Sequence, residues 1–322
     1  MKKALRFILL TLTFLIALCA GLFAYFVYTP EPELPRLTGE LTKATLEVNG
    51  ETYTYRLYLP KDFAKGAPLV MVLHGSGQNG AQIRPETGYG FERLADQHGF
   101  GVVYPSGKSF DWNDCSKTGD FLVNGRELDD VNYLNTLVDT LIAAHGFDQR
   151  RVFATGVSAG GFMSLRLALE SPERFRAVAA VSANVPAPDN FKCKPVAPGA
   201  SVLLMNGTAD TIVPYSGGEV ELWGMFFQNG QVLSSVASAE FFAAQNKLPL
   251  AAKREAPLPD VKNVQRMQWQ NEDNFEVELI TILDGGHGMP QPHWQRPRLL
   301  GPSPMEPNGP ELIWQFFARQ KP

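Results

Sequence analysis

The stretch Arg151–Pro172, RVFATGVSAGGFMSLRLALESP, constrains this chain more than any other. Arg151–Thr155 is a short apolar run with strand character. Gly161–Glu170 carries Phe162, Leu165 and Leu169 at the three- and four-residue spacings of a helix. Ser171-Pro172 ends that helix, because the residue before a proline avoids the helical region. Between strand and helix stands Gly156-Val157-Ser158-Ala159-Gly160, a G-x-S-x-G turn. In that setting the turn presents a serine hydroxyl at the carboxyl end of a strand. Side chains at Gly156 or Gly160 would crowd the turn. The helix N-terminus beside Ser158 favours negative charge. A chain with 29 glycines can produce the pentapeptide by chance, so its context and partners carry the reading.

Elements of the same kind surround it. Leu46–Val48 and Thr52–Leu59 flank Asn49-Gly50, a hairpin signal. Pro68–Leu73 is continuously apolar, as in a strand buried on both faces, and runs into His74-Gly75-Ser76-Gly77. Gly101–Tyr104, Ala177–Val181, Ser201–Met205 and Phe275–Leu283 also read as strands. Helices are expected from Asp129 or Asp130 to His145, over Ala237–Asn246, and from Asn308 to Arg319. Strands alternating with helices give an α/β fold, a mainly parallel central sheet with helices on both faces. About 285 residues after the N-terminal segment suit one catalytic domain over 41–322. Net charge is −4 and there is no basic stripe, so nothing points to nucleic acid.

Residues 1–28 form a unit of another kind. Lys2, Lys3 and Arg6 precede 22 residues, Phe7–Tyr28, that carry no charge. As a helix these would span about 33 Å, enough for a bilayer core. The positive charge in front places the N-terminus in the cytoplasm and the remainder outside. An uncleaved anchor, a cleaved signal peptide and a lipoprotein acylated at Cys19 all put the main domain outside the cytoplasm. Residues 29–40, with Pro30, Pro32 and Pro35, form a linker. Cys115 and Cys193 are then a pair in an exported domain, and a disulfide is expected. Closing so long a loop is worth about 4 kcal/mol in the chain-entropy model.

A serine needs a base to take its proton. Of five histidines, His287 lies in Asp284-Gly285-Gly286-His287-Gly288, directly after a strong strand, where ligands gather in such folds. His293, in a proline-rich loop, is the runner-up. His98 and His145 stand beside Gly99 and Gly146 at helix ends. Asp210, in Asn206-Gly207-Thr208-Ala209-Asp210 after the Ser201 strand, is the acid that would orient the base; Asp284 is the alternative. The order Ser158, Asp210, His287 is the α/β-hydrolase order. The oxyanion hole is expected from the backbone N–H of Ala159 and that of Gly75 or Ser76. No stretch has metal-ligand spacing, and the chemistry requires no cofactor.

These residues also carry a resemblance. LVMVLHGSGQNG, DWNDC, RVFATGVSAGG, MNGTADTIVPYSGG, ELITILDGGHGMP and ELIWQFFARQ resemble, in the same order, the secreted esterase family of polyhydroxybutyrate depolymerases and feruloyl or acetyl-xylan esterases. The similarity runs from about Thr42 to Arg319. It implies an α/β-hydrolase fold, Ser158, Asp210 and His287 as triad, and Gly75 or Ser76 with Ala159 as the hole. Where that family has GGGHTWPG this chain has GGHGMP. The histidine is kept and the tryptophan is not, which bears on the substrate pocket; Trp294 lies too far along to replace it.

Trp112, Trp223, Phe226 and Phe227 are the aromatic candidates for substrate contact, and a buried role for them is the alternative. The Gly288–Pro310 stretch, with seven prolines, is expected to wrap the site as an ordered loop. No polymer-binding module is visible, which favours a small ester or a soluble oligomer. The expectation is an extracytoplasmic serine esterase acting on hydroxyalkanoate oligomers or feruloyl- or acetyl-type esters. A serine peptidase of the same fold, or a hydrolase-like surface protein that only binds, are the rival readings.

Overall fold

Leu69–Leu73 is apolar at every position and is buried at every position. Leu69, Met71 and Leu73 face one core, while Val70 and Val72 face a second core on the other side. This two-faced burial organises the molecule. The computed structural model describes residues 2–118, 122–123, 126–222, 224, 228–255, 258, 261–271 and 275–320.

The main sheet has ten strands: β1 (Glu40–Val48), β2 (Glu51–Leu59), β3 (Leu69–Leu73), β4 (Gly101–Pro105), β5 (Val152–Val157), β6 (Ala177–Val181), β7 (Ser201–Gly207), β8 (Arg254–Glu255), β9 (Val264–Gln270) and β10 (Glu276–Ile282). Their order is β1-β2-β4-β3-β5-β6-β7-β10-β9-β8. The central run from β4 to β10 is parallel throughout. Both margins are antiparallel: β1 and β2 on one side, β9 and β8 on the other. The opening hairpin matches the Asn49-Gly50 signal. The second antiparallel margin was not expected. In β9 only Trp269 is fully buried, and Gln265, Arg266 and Gln268 hide its strand character.

Six helices of nine or more residues lie among the described residues: α1 (Lys2–Phe26), α2 (Gly90–His98), α3 (Asp130–His145), α4 (Ala159–Glu170), α5 (Ser235–Gln245) and α6 (Gly309–Arg319). Residues of α3, α4 and α5 pack into the first core, and those of α2 and α6 into the second. Asp129 caps α3 by accepting from the Asn132 N–H at 3.0 Å, and left-handed Gly146 closes it. α2 lacks a side-chain cap and starts from left-handed Tyr89, so its N-terminus carries no sequence signal.

α1 is 25 residues long, has a mean hydropathy of 2.6 and buries nothing in the protein. The proline-rich segment after it is tied to the body. Thr38 N–H donates to Asp96 at 2.7 Å, and Gly39 N–H donates to the Tyr58 hydroxyl at 2.8 Å. Cys115 and Cys193 form a disulfide that closes a separation of 78 residues.

Candidate active site

The elbow is built from three close approaches. A Cβ on Gly156 would strike the Gly160 backbone, and one on Gly160 would strike the carbonyls of Leu73 and His74. One on Gly161 would meet Ala183 Cβ and the Val181 carbonyl, each at 2.8 Å. Strand and helix can touch only where these side chains are missing. Ser158 is held at φ 56° and ψ −122°, a conformation that non-glycine residues adopt at a cost of about 1–3 kcal/mol. It stands immediately before the first turn of α4, where backbone N–H groups lack helical acceptors.

The other two candidate residues leave the sheet side by side. β7 and β10 are parallel neighbours, with Gly207 opposite Ile282. The loops that follow therefore exit at the same edge, which brings Asp210 and His287 together. His287 Nδ1 lies 2.9 Å from Asp210 Oδ2 and 3.0 Å from Oδ1. Asp210 Oδ1 also accepts from the N–H groups of Ile212 (2.9 Å) and Val213 (2.8 Å). Burial alone would raise the Asp210 pKa. The adjacent imidazole and the two amides outweigh it and hold the carboxyl below the usual range. Asp210 is therefore a charged acceptor, which sets the proton on Nδ1 of His287 and leaves Nε2 free to act as a base. Asp284, the alternative acid, is exposed at φ 56°. His293, the alternative base, is exposed and borders a groove beside α1 instead.

Ser158, Ala159, His287, Gly75 and Ser76 line one cleft of about 310 Å³. Phe162, Ile212, Val220 and Leu300 give it apolar walls, and Glu86, Asp111, Asp114, Gln228 and Asn229 give it a polar rim. Gly75 N–H is already engaged, donating to Gln78 Oε1 at 3.0 Å. Ser76 is thereby the better donor of the two that the sequence allowed. The loop is held by His74, which is fully buried. Gly107 N–H donates to its Nε2 at 2.9 Å, so Nδ1 carries the proton and donates to the Gly75 carbonyl at 2.8 Å. Burial lowers the His74 pKa to about 4, and the ring stays neutral.

The aromatic candidates fare differently. Trp112 is fully buried, donates from Nε1 to the His74 carbonyl at 2.9 Å, and is not among the cleft-lining residues. It supports the loop from beneath, so the expected substrate contact is corrected to a packing role. Trp223, Phe226 and Phe227 lie outside the described residues. Trp294 donates to the Pro30 carbonyl at 2.9 Å, away from the cleft.

The sequence did not single out Asp111, Asp114 or Arg296. Burial pushes Asp111 up to about 6, against hydrogen bonds from Trp112 N–H and the Ser76 hydroxyl. Burial also raises Asp114, which accepts from Ser116 N–H and Asn229. Arg296 is buried within the proline-rich loop and holds the carbonyls of His287 and Met289. In the same loop the Leu300 carbonyl accepts from the His287 N–H at 2.7 Å. The proline content marked a loop but not these contacts.

A parallel sheet of this order, with a serine on a strand–helix elbow and a histidine–aspartate pair at the adjacent strand ends, defines the α/β-hydrolase class. Residues 53–190 match the family model described as Esterase PHB depolymerase. The chain is 32% identical over 275 residues to NocK of Nocardia uniformis subsp. tsuyamanensis, which is named as an esterase, covering 82% of this chain and 78% of that one. It is 30% identical over 285 residues to a protein of Aspergillus terreus named as feruloyl esterase C, covering 86% and 87%. The chain belongs to this esterase family. Among solved structures, an acetyl xylan esterase from Aspergillus awamori shares the fold, with a TM-score of 0.57 and 20% identity over 78% of this chain and 94% of that one.

Proposed function

We propose that the chain is an extracytoplasmic serine esterase that cleaves carboxylic esters through an acyl-enzyme on Ser158. The observation that carries this is the His287–Asp210 pair at 2.9 Å, opening on the cleft that Ser158 lines. Ser158 Oγ attacks the ester carbonyl carbon while its proton passes to His287 Nε2. The charged Asp210 steadies the imidazolium. The oxyanion takes hydrogen bonds from the N–H groups of Ala159 and Ser76, each worth about 3 kcal/mol in the transition state. The carbonyl re-forms, and the alcohol leaves with the proton from Nε2. Water then attacks the acyl-enzyme by the same route, releasing the acid and restoring Ser158.

The names of the relatives support two substrate groups, feruloyl- or acetyl-type esters and hydroxyalkanoate oligomers. An apolar wall with an amide- and carboxylate-bearing rim suits either acyl group. The extracytoplasmic site is supported by α1, by the lysines and arginine in front of it, and by the disulfide. With it we propose residues 1–28 as signal or anchor, 29–40 as linker and 41–322 as the catalytic domain.

The test is labelling by a fluorophosphonate probe, with the modified residue mapped, beside a panel of p-nitrophenyl esters, methyl ferulate and a hydroxybutyrate oligomer. Label on Ser158 and turnover of an ester are expected. Absence of label would remove the nucleophile from the reading. Cleavage of amides at rates comparable to esters would favour a peptidase.

A further inference from the structure

α1 and the proline-rich loop meet at one place. The Arg298 guanidinium lies over the Tyr25 ring, 4.2 Å from its centroid. Trp294 bonds the Pro30 carbonyl just beyond the helix. Tyr25, Tyr28, Glu31, Trp294, Arg298 and Met305 border a groove of about 450 Å³ between the two segments. Tyr28 is 61% exposed and Met305 45% exposed.

The length of α1 sets the depth of this groove. Its 25 residues make a helix of about 37 Å, against a hydrocarbon core of about 30 Å. With Lys2, Lys3 and Arg6 at one headgroup layer, Tyr25 and Tyr28 reach the other, the level at which tyrosine and tryptophan concentrate. A residue packed on Tyr25 is held at the same level. Arg298 can there lay its stem along apolar surface and give its guanidinium to a phosphate. Glu31 shares the rim, so the groove carries both signs, as a zwitterionic headgroup does.

We propose that Trp294, Arg298 and Met305, with Tyr25 and Tyr28, form a face on which the catalytic body rests against the headgroups of a phospholipid bilayer. The partner is a lipid surface with phosphate and amine groups, and α1 remains attached. The esterase reading stands without this inference. The face is continuous with the active-site wall, because Arg298–Leu300 is a single short helical turn. Its first residue touches α1 and its last lines the cleft.

The experiment uses the full chain in vesicles of phosphatidylethanolamine and phosphatidylcholine that carry a nitroxide on the headgroup. Cys19→Ser with Met305→Cys leaves one free thiol for a fluorophore. The label is expected to be quenched relative to nitroxide-free vesicles. Adding Arg298→Ala is expected to reduce that quenching, because the guanidinium that would take a headgroup phosphate is lost. An unquenched label on protein that still turns over a soluble ester would overturn the proposal. So would a mature N-terminus beyond Tyr28 in protein recovered from the producing cells. Quenching without turnover would support this face and count against the esterase reading alone.

Discussion

The buried Arg296 guanidinium donates to the carbonyl of His287 at 2.6 Å and to that of Met289 at 2.8 Å. It occupies the space left by Gly288, at φ 124°, where a Cβ would overlap the guanidinium. Burial lowers its pKa to about 10, opposed by the charges of Glu86 and Asp210, so it stays charged at neutral pH. Arg296 is a positioning residue: it fixes the backbone that carries the candidate base.

Arg296→Ala leaves two buried carbonyls without donors and is expected to cost about 3 kcal/mol of stability. It should also lower kcat more than it raises KM, with Arg296→Lys recovering part of the loss. Denaturant unfolding beside Michaelis kinetics separates the two effects. Unchanged kcat per folded molecule would leave Arg296 a purely structural role.

Ser158→Ala is expected to lower turnover by about a million-fold. The thermal midpoint should stay near that of the parent, because the Ser158 backbone is held by its own bonds, its N–H donating to the Val181 carbonyl and its carbonyl accepting from the Phe162 N–H, each at 2.9 Å. Residual activity and circular dichroism on one preparation check both halves.

Asp130 supplies a pH dependence of stability. It is buried, accepts from Asn113 N–H at 2.8 Å, and burial raises its pKa from 3.8 to about 6. The folded form therefore holds its proton more tightly than the unfolded form. Its contribution is full below about pH 4 and is lost as pH rises through about 6. The loss is on the order of 3 kcal/mol. Asp130→Asn should flatten the fall in unfolding free energy over that window, measured by urea titration at several pH values. Asp210 acts in the opposite sense, since its lowered pKa gives stability that is lost on acidification.

Cys193→Ser opens the 78-residue loop and should reduce stability by about 4 kcal/mol in the chain-entropy model. The same shift should follow reduction of the parent protein. An unfolding midpoint indifferent to reductant would contradict it.

Much of this molecule was legible where information is local. The helical spacing of Phe162, Leu165 and Leu169, the apolar run at Leu69–Leu73 and the hairpin at Asn49-Gly50 needed no tertiary contact to be read. β9 escaped because a strand with one fully buried residue carries weak periodicity, and of α2 only the end at His98-Gly99 was legible, since a short helix without a cap gives no start signal. Trp112 was ambiguous for a different reason. A tryptophan on a loop can line a cleft or lie beneath one, and only the packing of His74 against it decides.

By itself the sequence determined the elbow at Ser158, the apolar N-terminal helix and the pairing of Cys115 with Cys193, the last because only two cysteines lie outside that helix. It also named Asp210 and His287 as residues after strands. Tertiary structure decided that these two meet, through the adjacency of β7 and β10. It also decided that Gln78 takes the Gly75 N–H and that Arg296 braces the His287 loop. The physical reason is range. Side-chain periodicity and turn chemistry act within a few residues, whereas contacts across 77 positions depend on strand order and register, which the whole sheet sets together.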